Sequence, residues 1–284
     1  MSRWVEQLQS KGRYTFARSE AEARTGRSFV AVQTALRRLK QQGRVVSPRR
    51  GFYVVVPPEY RATGSPPASW FIDDLMRHLG QPYYVGLLSA AAIHGAAHQQ
   101  PMVFQVVTSK PTREMRAGRV ALQFSMSSKV TQMPVTQVQT ETGTMRVATP
   151  ETTAFDLVRY QAGAGHLSNA ATVLAELAER IDAGALASIA PLVRLPDVQR
   201  LGHLLDLVGQ SEIADPLARW LQTRRPRAVV LRPGGATDVE FRSSRSAPQG
   251  REEPELQSGG AGGRSRQIDR RWHVLPNEEL EVDL

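Results

Sequence analysis

The first 56 residues show the order of helix and strand patterns that most constrains how this chain can fold. Helical spacing of apolar residues predicts helices over 3–9 and 19–25, with a short extended stretch over 13–16 between them. Ser19 and Glu22 have the capping-box spacing, which predicts that Ser19 is the N-cap of the second helix. The chain therefore opens with two short helices.

A third helix follows, and its apolar residues form a single stripe. Ser28 is a typical N-cap residue and Gly43 ends the helix. The stripe consists of Phe29, Val32, Leu36 and Leu39. Two β-rich runs, over 44–47 and 52–56, are joined by the tight turn Pro48-Arg49-Arg50-Gly51. This order, which ends in a hairpin with a basic tip, predicts a winged helix-turn-helix.

Most of the net positive charge lies in the same region. Residues 1–60 contain twelve Lys or Arg and four Asp or Glu, a net charge of +8, whereas the whole chain has a net charge of +9. A basic surface concentrated on one small module is typical of a nucleic-acid binder. The alternatives are a solvated basic face and a winged helix that docks on another protein.

In a winged helix-turn-helix, the third helix enters the major groove, where Arg and Gln can bind base edges. The basic hairpin tip can meet phosphate or the minor groove. We therefore predict contacts with double-stranded DNA by nine residues: Arg27, Ser28, Gln33, Thr34, Arg37, Arg38, Lys40, Arg49 and Arg50.

Composition divides the chain after residue 56 into four further parts. Proline and small residues over 57–69 indicate a linker, and a larger domain follows over 70–238. The stretch 239–267 is rich in Ser, Gly and Arg and is predicted to be disordered. Apolar residues return over 268–284, which is predicted to pack back on the domain.

The larger domain has patterns of both helix and strand. Strands are predicted over 102–108 and 119–125, a hairpin follows over 135–148, and helices prevail from residue 150 onward. The predicted fold class is α+β: an N-terminal winged helix-turn-helix followed by a larger α+β domain with a small sheet and a C-terminal helical bundle.

The sequence contains no recognisable catalytic or metal-binding constellation. Without cysteine, the chain has no disulfide, thiolate metal site or cysteine nucleophile. His94 and His98 are four residues apart, but Gly95 interrupts the helix between them. Gly64-Ser65 lacks the paired aspartates of a nucleotidyltransferase, and no G-x-S-x-G elbow occurs. We predict that the protein is not an enzyme and has no metal or other cofactor.

Nothing in the sequence indicates a membrane segment. No run approaches the roughly 18 apolar residues that a membrane helix needs. The N-terminus is polar and does not resemble a secretory signal. We predict a cytoplasmic protein that does not contact membranes.

Several segments resemble the AbiEi-type antitoxins, which are regulators of type IV toxin–antitoxin systems for abortive infection and phage defence. The similar segments are YYVGLLSAAAIHGAAHQQPMVFQVVTSK over 83–110, RVATPETTAFDLVRY over 146–160 and RLGHLLDLVG over 200–209. The ending RRWHVLPNEELEVDL is also similar. The resemblance covers nearly all of the chain except about 239–266, which is usually shorter in the family.

The resemblance implies two activities. The winged helix would bind inverted repeats upstream of its own operon as a monomer or dimer and repress transcription. The larger domain would neutralise a nucleotidyltransferase-like toxin without direct contact, by countering its effect on a shared target. The alternative is a stand-alone winged-helix regulator whose larger domain senses a ligand or mediates dimerisation.

A second basic cluster lies between two predicted strands of the larger domain. It consists of Lys110, Arg113, Arg116 and Arg119. A solvated loop is one interpretation of this cluster. The other, motivated by its charge density and by the family role, is a nucleic-acid contact that forms the antitoxic surface.

Overall fold

The computed structural model describes residues 1–96, 103–233 and 267–282, and the chain divides into two compact units, 1–153 and 154–284. Helices and strands are mixed in the described residues, so the predicted α+β class is confirmed. No helix in these ranges is both long enough and apolar enough to cross a membrane.

The amino-terminal module, residues 1–56, contains three helices and three strands. They are α1 (Ser2–Ser10), β1 (Thr15–Ala17), α2 (Arg18–Thr25), α3 (Phe29–Gln41), β2 (Val45–Arg49) and β3 (Phe52–Val55). The strands form an antiparallel sheet in which β3 lies between β1 and β2. This order of elements is the one expected of a winged helix-turn-helix.

The predicted capping box at the start of α2 is wrong. The helix begins at Arg18, and its N-cap, Ala17, makes no side-chain hydrogen bond. The backbone N–H of Arg18 instead donates to the carbonyl oxygen of Gly51 at 2.9 Å. The hairpin turn therefore satisfies the first backbone donor of α2, and no side-chain cap is formed there.

The core of the module is built around α3. Val32, Leu36 and Leu39 are buried and pack with residues of α1, α2 and the sheet: Val5, Leu8, Phe16, Ala21, Val45 and Val55. Phe29, the fourth member of the predicted apolar stripe, is 45% exposed instead. As the first residue of α3 it lies beyond the edge of this core.

The rest of the first unit contains a six-stranded mixed sheet. Its strands are β4 (Tyr83–Val85), β5 (Val103–Thr108), β6 (Met115–Ala117), β7 (Val120–Met126), β8 (Val135–Thr140) and β9 (Gly143–Ala148), in the order β6-β7-β5-β4-β9-β8. The β4–β9 and β5–β7 pairs are parallel. The predicted hairpin over 135–148 is confirmed as β8 and β9.

Two of these strands were not predicted. β4 lies in a stretch without a strand pattern of its own, and β6 lies inside the segment predicted as a connecting loop. In β6, Met115 and Ala117 are buried whereas Arg116 is exposed. Three residues are too few for this alternation to be visible in the sequence. β6 is an edge strand, where an exposed charge discourages pairing with another chain.

In the described part of the first unit, two α-helices and two short 3-10 helices accompany this sheet. The helices are α4 (Ile72–Leu79) and α5 (Leu87–Ile93), and short 3-10 helices occupy Pro58–Tyr60 and Ala68–Trp70. The proline-rich segment predicted as a linker is packed: Ser65 is buried, and the carbonyl oxygen of Thr63 accepts from the backbone N–H of Arg119 at 2.8 Å.

The second unit is a helical bundle with a short strand pair. Its elements are α6 (Pro150–Arg159, whose first residues belong to the first unit), α7 (His166–Leu177), α8 (Ala183–Ile189), α9 (Leu195–Leu207), α10 (Ser211–Gln222), β10 (Val229–Val230) and β11 (Val274–Leu275). β10 and β11 are parallel. Of the stretch predicted to be disordered, 239–266 lies outside the described residues.

One aromatic side chain anchors the carboxyl-terminal segment. Trp272 is fully buried, and its Nε1 donates to Asp206 Oδ2 at 2.6 Å. Its ring lies against the backbone of Gly202 in α9, where a Cβ would overlap the ring. The absence of a side chain at Gly202 therefore makes room for Trp272.

We expect Gly118→Ala to destabilise the first unit. Gly118 has φ +55°, and a Cβ there would overlap the backbone of Thr63 and Gly64. The free energy of unfolding should fall by about 2–4 kcal/mol, as measured by urea denaturation. Gly12→Ala is the matched control, because φ is also positive but the space is open; it should cost only about 1 kcal/mol. Equal losses for both variants would contradict the steric argument.

Candidate nucleic-acid interface

The predicted DNA-contacting helix, α3, is oriented by its buried stripe. Ser28 is the N-cap and accepts from the backbone N–H of Ala31 at 3.4 Å, so the predicted cap is confirmed. With 3.6 residues per turn, the residues opposite the buried stripe face away from the core. This outer stripe consists of Val30, Thr34, Arg37 and Gln41, and all four are exposed.

All nine predicted DNA-contacting residues are exposed. The structure brings some of them together around an open groove of about 600 Å³ beside α3, lined by Gln33, Thr34, Arg37, Lys40, Gln41 and Tyr53. The remaining predicted residues lie outside the groove lining. They are Arg27 and Ser28 before α3, Arg38 on it, and Arg49 and Arg50 at the hairpin tip.

Tyr53 lines the groove although its sequence context does not predict this. Its ring stacks on Phe16, with centroids 5.4 Å apart and planes at 12°, which holds the side chain at the groove wall. Burial raises the pKa of the Tyr53 hydroxyl, and the charge of Arg18 opposes this shift. The hydroxyl therefore stays protonated and available as a hydrogen-bond donor. The sequence of β3 is apolar throughout, so no alternation identifies Tyr53, and its place at the groove depends on the stacking with Phe16.

Ion pairs neutralise the glutamates of the module. The pairs are Glu6 with Arg44 at 2.8 Å, Glu20 with Arg13 at 2.9 Å and Glu22 with Arg18 at 3.2 Å. The other exposed cations of α2, of the turn after it, of α3 and of the hairpin tip have no carboxylate partner among the described residues: Arg24, Arg27, Arg37, Arg38, Lys40, Arg49 and Arg50. The face that carries α3 is therefore strongly cationic, as phosphate binding requires.

Arg18 fixes the start of α3 against α2. Its guanidinium lies 4.6 Å from the centroid of the Phe29 ring, while Glu22 holds the same guanidinium at 3.2 Å. A cation over an aromatic face is attracted by the ring electrons. The turn between α2 and α3 is thus held from the side by one arginine.

Side-chain contacts connect the module to the segment after it. Thr15 of β1 donates to Asp74 of α4, Tyr14 packs edge-on against Trp70 at 4.8 Å, and the Phe52 ring lies 5.3 Å from that of His78. The strand β2 also lies beside β6. Within the first unit, the module and the six-stranded sheet are therefore packed together.

The second basic cluster surrounds β6. Lys110 and Arg113 precede this strand, Arg116 lies on it and Arg119 is in the turn that follows, and all four side chains are exposed. Glu114 pairs with Arg116 at 3.1 Å and offsets part of the charge. The cluster is therefore an exposed, partly compensated basic surface next to the strand that packs against β2.

Only one histidine of the pair considered in the sequence lies within the described residues. His94 Nε2 is 2.7 Å from the carbonyl oxygen of Ala148, so one ring nitrogen is already engaged. His98 lies outside the described residues. Within 1–96, 103–233 and 267–282, no three His, Asp or Glu residues are grouped as metal ligands would be.

Comparison with known families finds a match in the larger domain. Residues 84–207 match the AbiEi antitoxin C-terminal domain, from β4 to the end of α9. The match supports a role as an antitoxin or regulator of a toxin–antitoxin system. The predicted resemblance to the AbiEi antitoxins is thus confirmed over this segment.

A solved structure has a similar fold over nearly the whole chain. The crystal structure of the RV2827C protein from Mycobacterium tuberculosis matches with a TM-score of 0.61 at 16% identity, covering 97% of this chain and 90% of that chain. At this identity, the likeness shows the fold alone. Comparison with curated proteins gives no match.

We expect Arg18→Ala to destabilise the module by about 1 kcal/mol, because it removes the contact with Phe29 and the ion pair with Glu22. Urea denaturation measures the loss. Arg24→Ala is the matched control, since Arg24 is an exposed arginine of the same helix without a carboxylate partner in the described part of the chain; it should change stability by less than about 0.5 kcal/mol. Equal effects would argue against a structural role for Arg18.

Proposed function

We propose that the protein is the antitoxin of a type IV toxin–antitoxin system that represses its own operon and neutralises a nucleotidyltransferase-like toxin. The observation that carries the proposal is the cationic outer face of α3, in a chain whose residues 84–207 match the AbiEi antitoxin domain. The match supports the antitoxin role, and the α3 face supports DNA binding by a winged helix-turn-helix.

On double-stranded DNA, the outer stripe of α3 would enter the major groove. Gln33 and Arg37 have the side-chain types that bind adenine and guanine edges in pairs of hydrogen bonds. Arg49 and Arg50 at the hairpin tip would contact phosphate or the minor groove. An operator built as an inverted repeat would take two copies of the chain, bound as a dimer or as two monomers.

Neutralisation would use a different part of the first unit. The cationic cluster around β6 would contact a nucleic acid that the toxin also acts on, so the toxin would be countered without being bound. The charge of the cluster supports this assignment. Glu114 compensates only Arg116, and Lys110, Arg113 and Arg119 supply further positive charge. The role of the cluster is therefore separable from that of α3.

Specific DNA binding should depend on four arginines. In a gel shift on DNA from upstream of its own operon, changing Arg37, Arg38, Arg49 and Arg50 to Ala should weaken binding at least about 100-fold. The slope of log affinity against log salt concentration should also become shallower by about two to four, because each phosphate contact contributes about 0.9.

A control variant with the same loss of charge shows whether weaker DNA binding comes from these particular arginines or from the lower net charge of the whole protein. Arg180, Arg219, Arg225 and Arg227 are exposed arginines of the second unit. Changing these four to Ala should retain specific binding. If the α3 and hairpin variant also binds like the wild type, the module does not bind DNA and the repressor role is excluded.

Reversal of charge around β6 should abolish neutralisation and spare DNA binding. Arg113→Glu with Arg116→Glu should allow growth arrest when the toxin encoded beside this gene is co-expressed, while the gel shift is unchanged. Arg219→Glu with Arg225→Glu, an equal reversal in the second unit, should still protect. Full protection by the β6 variant would exclude this cluster as the antitoxic surface.

A further inference from the structure

The start of α3 carries two exposed apolar side chains inside the cationic face. Phe29 is 45% exposed and Val30 is 68% exposed, which makes Val30 the most exposed large apolar side chain in the described part of the chain. Both are the first residues of the helix that Ser28 caps. In a soluble module, such a pair has a cost in water unless a partner covers it.

The position of Val30 indicates what that partner presents. Val30 begins the outer stripe, one turn before Thr34 and two turns before Arg37, so it faces the same way as these polar residues. Arg27 and Arg38 flank the region without a carboxylate partner in the described residues. A matching surface must therefore carry dense negative charge together with small apolar groups.

The major groove of DNA has this combination of features. Phosphates line its edges, and the C5 methyl group of thymine is the apolar group that it exposes. A surface of another protein would instead have to place several carboxylates around an apolar pocket. Charge complementarity therefore favours DNA as the occupant.

We propose that Val30, assisted by Phe29, contacts thymine methyl groups and so specifies T·A base pairs in the operator. This inference rests on the proposed DNA binding and names what part of the interface recognises. Cytosine, adenine and guanine have no methyl group in the groove. The contact therefore distinguishes thymine from the other bases without a hydrogen bond.

The two side chains are suited to this task in different ways. Val30 is β-branched, so in a helix it keeps one rotamer and loses little conformational entropy on binding. Phe29 is held by Arg18 over one face of its ring, at 4.6 Å from the centroid. The pair is thus ordered before DNA arrives, which lowers the cost of forming the contact.

The test uses thymine and uracil, which differ only by the methyl group. Wild-type protein first selects a duplex from a pool with a randomised central region. The selected duplex is then synthesised with each thymine in turn replaced by deoxyuridine, and the dissociation constants are compared. At one or two positions, we expect the replacement to weaken wild-type binding by about fourfold, the value for one buried methyl group.

Val30→Ala should remove this sensitivity. Its affinity for the thymine duplex should fall about as much as the uracil replacement weakens the wild type, and the ratio between the two duplexes should approach one. Lys40→Ala is the control: it should weaken binding to both duplexes and keep the wild-type ratio, because a cation on phosphate does not detect the methyl. Circular dichroism checks that both variants are folded, and Phe29→Ala provides a second test.

Three other outcomes would each overturn the inference. They also show whether the proposed DNA binding fails with it or stands without it. If the wild type selects no duplex, the proposed DNA binding fails and the inference fails with it. If the wild type binds thymine and uracil duplexes equally, or Val30→Ala keeps the wild-type ratio, DNA binding stands but methyl recognition is excluded. Self-association of the wild type that Val30→Ala abolishes, without an effect on the uracil ratio, would identify a second copy of the chain as the occupant.

Discussion

The direction in which the cationic residues of α3 point depends on the burial of one side of that helix. Val32, Leu36 and Leu39 are at most 3% exposed and fix the rotation of α3 about its axis. Because of the helical repeat, the outer stripe must then face away from the core. A rotation that moved the register by one residue would bury Gln33, Arg37 and Lys40, at a cost of several kcal/mol for unpaired charges.

Ion pairing shapes the electric field of the module more than it adds to stability. The three glutamates of residues 1–56 each have an arginine partner. Two of the pairs, Glu6 with Arg44 and Glu20 with Arg13, are exposed and contribute little free energy. Their larger effect is on the distribution of charge. Cations that have no carboxylate partner in the described residues are concentrated on α3, before it and at the hairpin tip, whereas the acidic side chains are compensated on α1 and α2.

Local patterns were enough to predict α3, its Ser28 cap and the hairpin that follows, since each depends on residues close in sequence. The start of α2 was missed because its donor is satisfied by Gly51, more than thirty residues away. The place of Tyr53 at the groove was not predictable because it depends on stacking with Phe16. The packing of 57–69 depends on Gly118, which no composition argument connects with that segment. Long-range contacts of this kind have no local signature.

For the proposed binding to operator DNA, the close approach of Gly118 to Thr63 and Gly64 would also restrict the spacing of the half-sites. A module on a flexible tether could follow half-sites set at different distances. In this protein, the segment that follows the module is packed against the turn after β6. The module therefore has little freedom to rotate within the first unit. Because one extra base pair rotates a half-site by about 34° around the duplex, two such copies that touch each other would tolerate only spacings that keep both half-sites in helical phase.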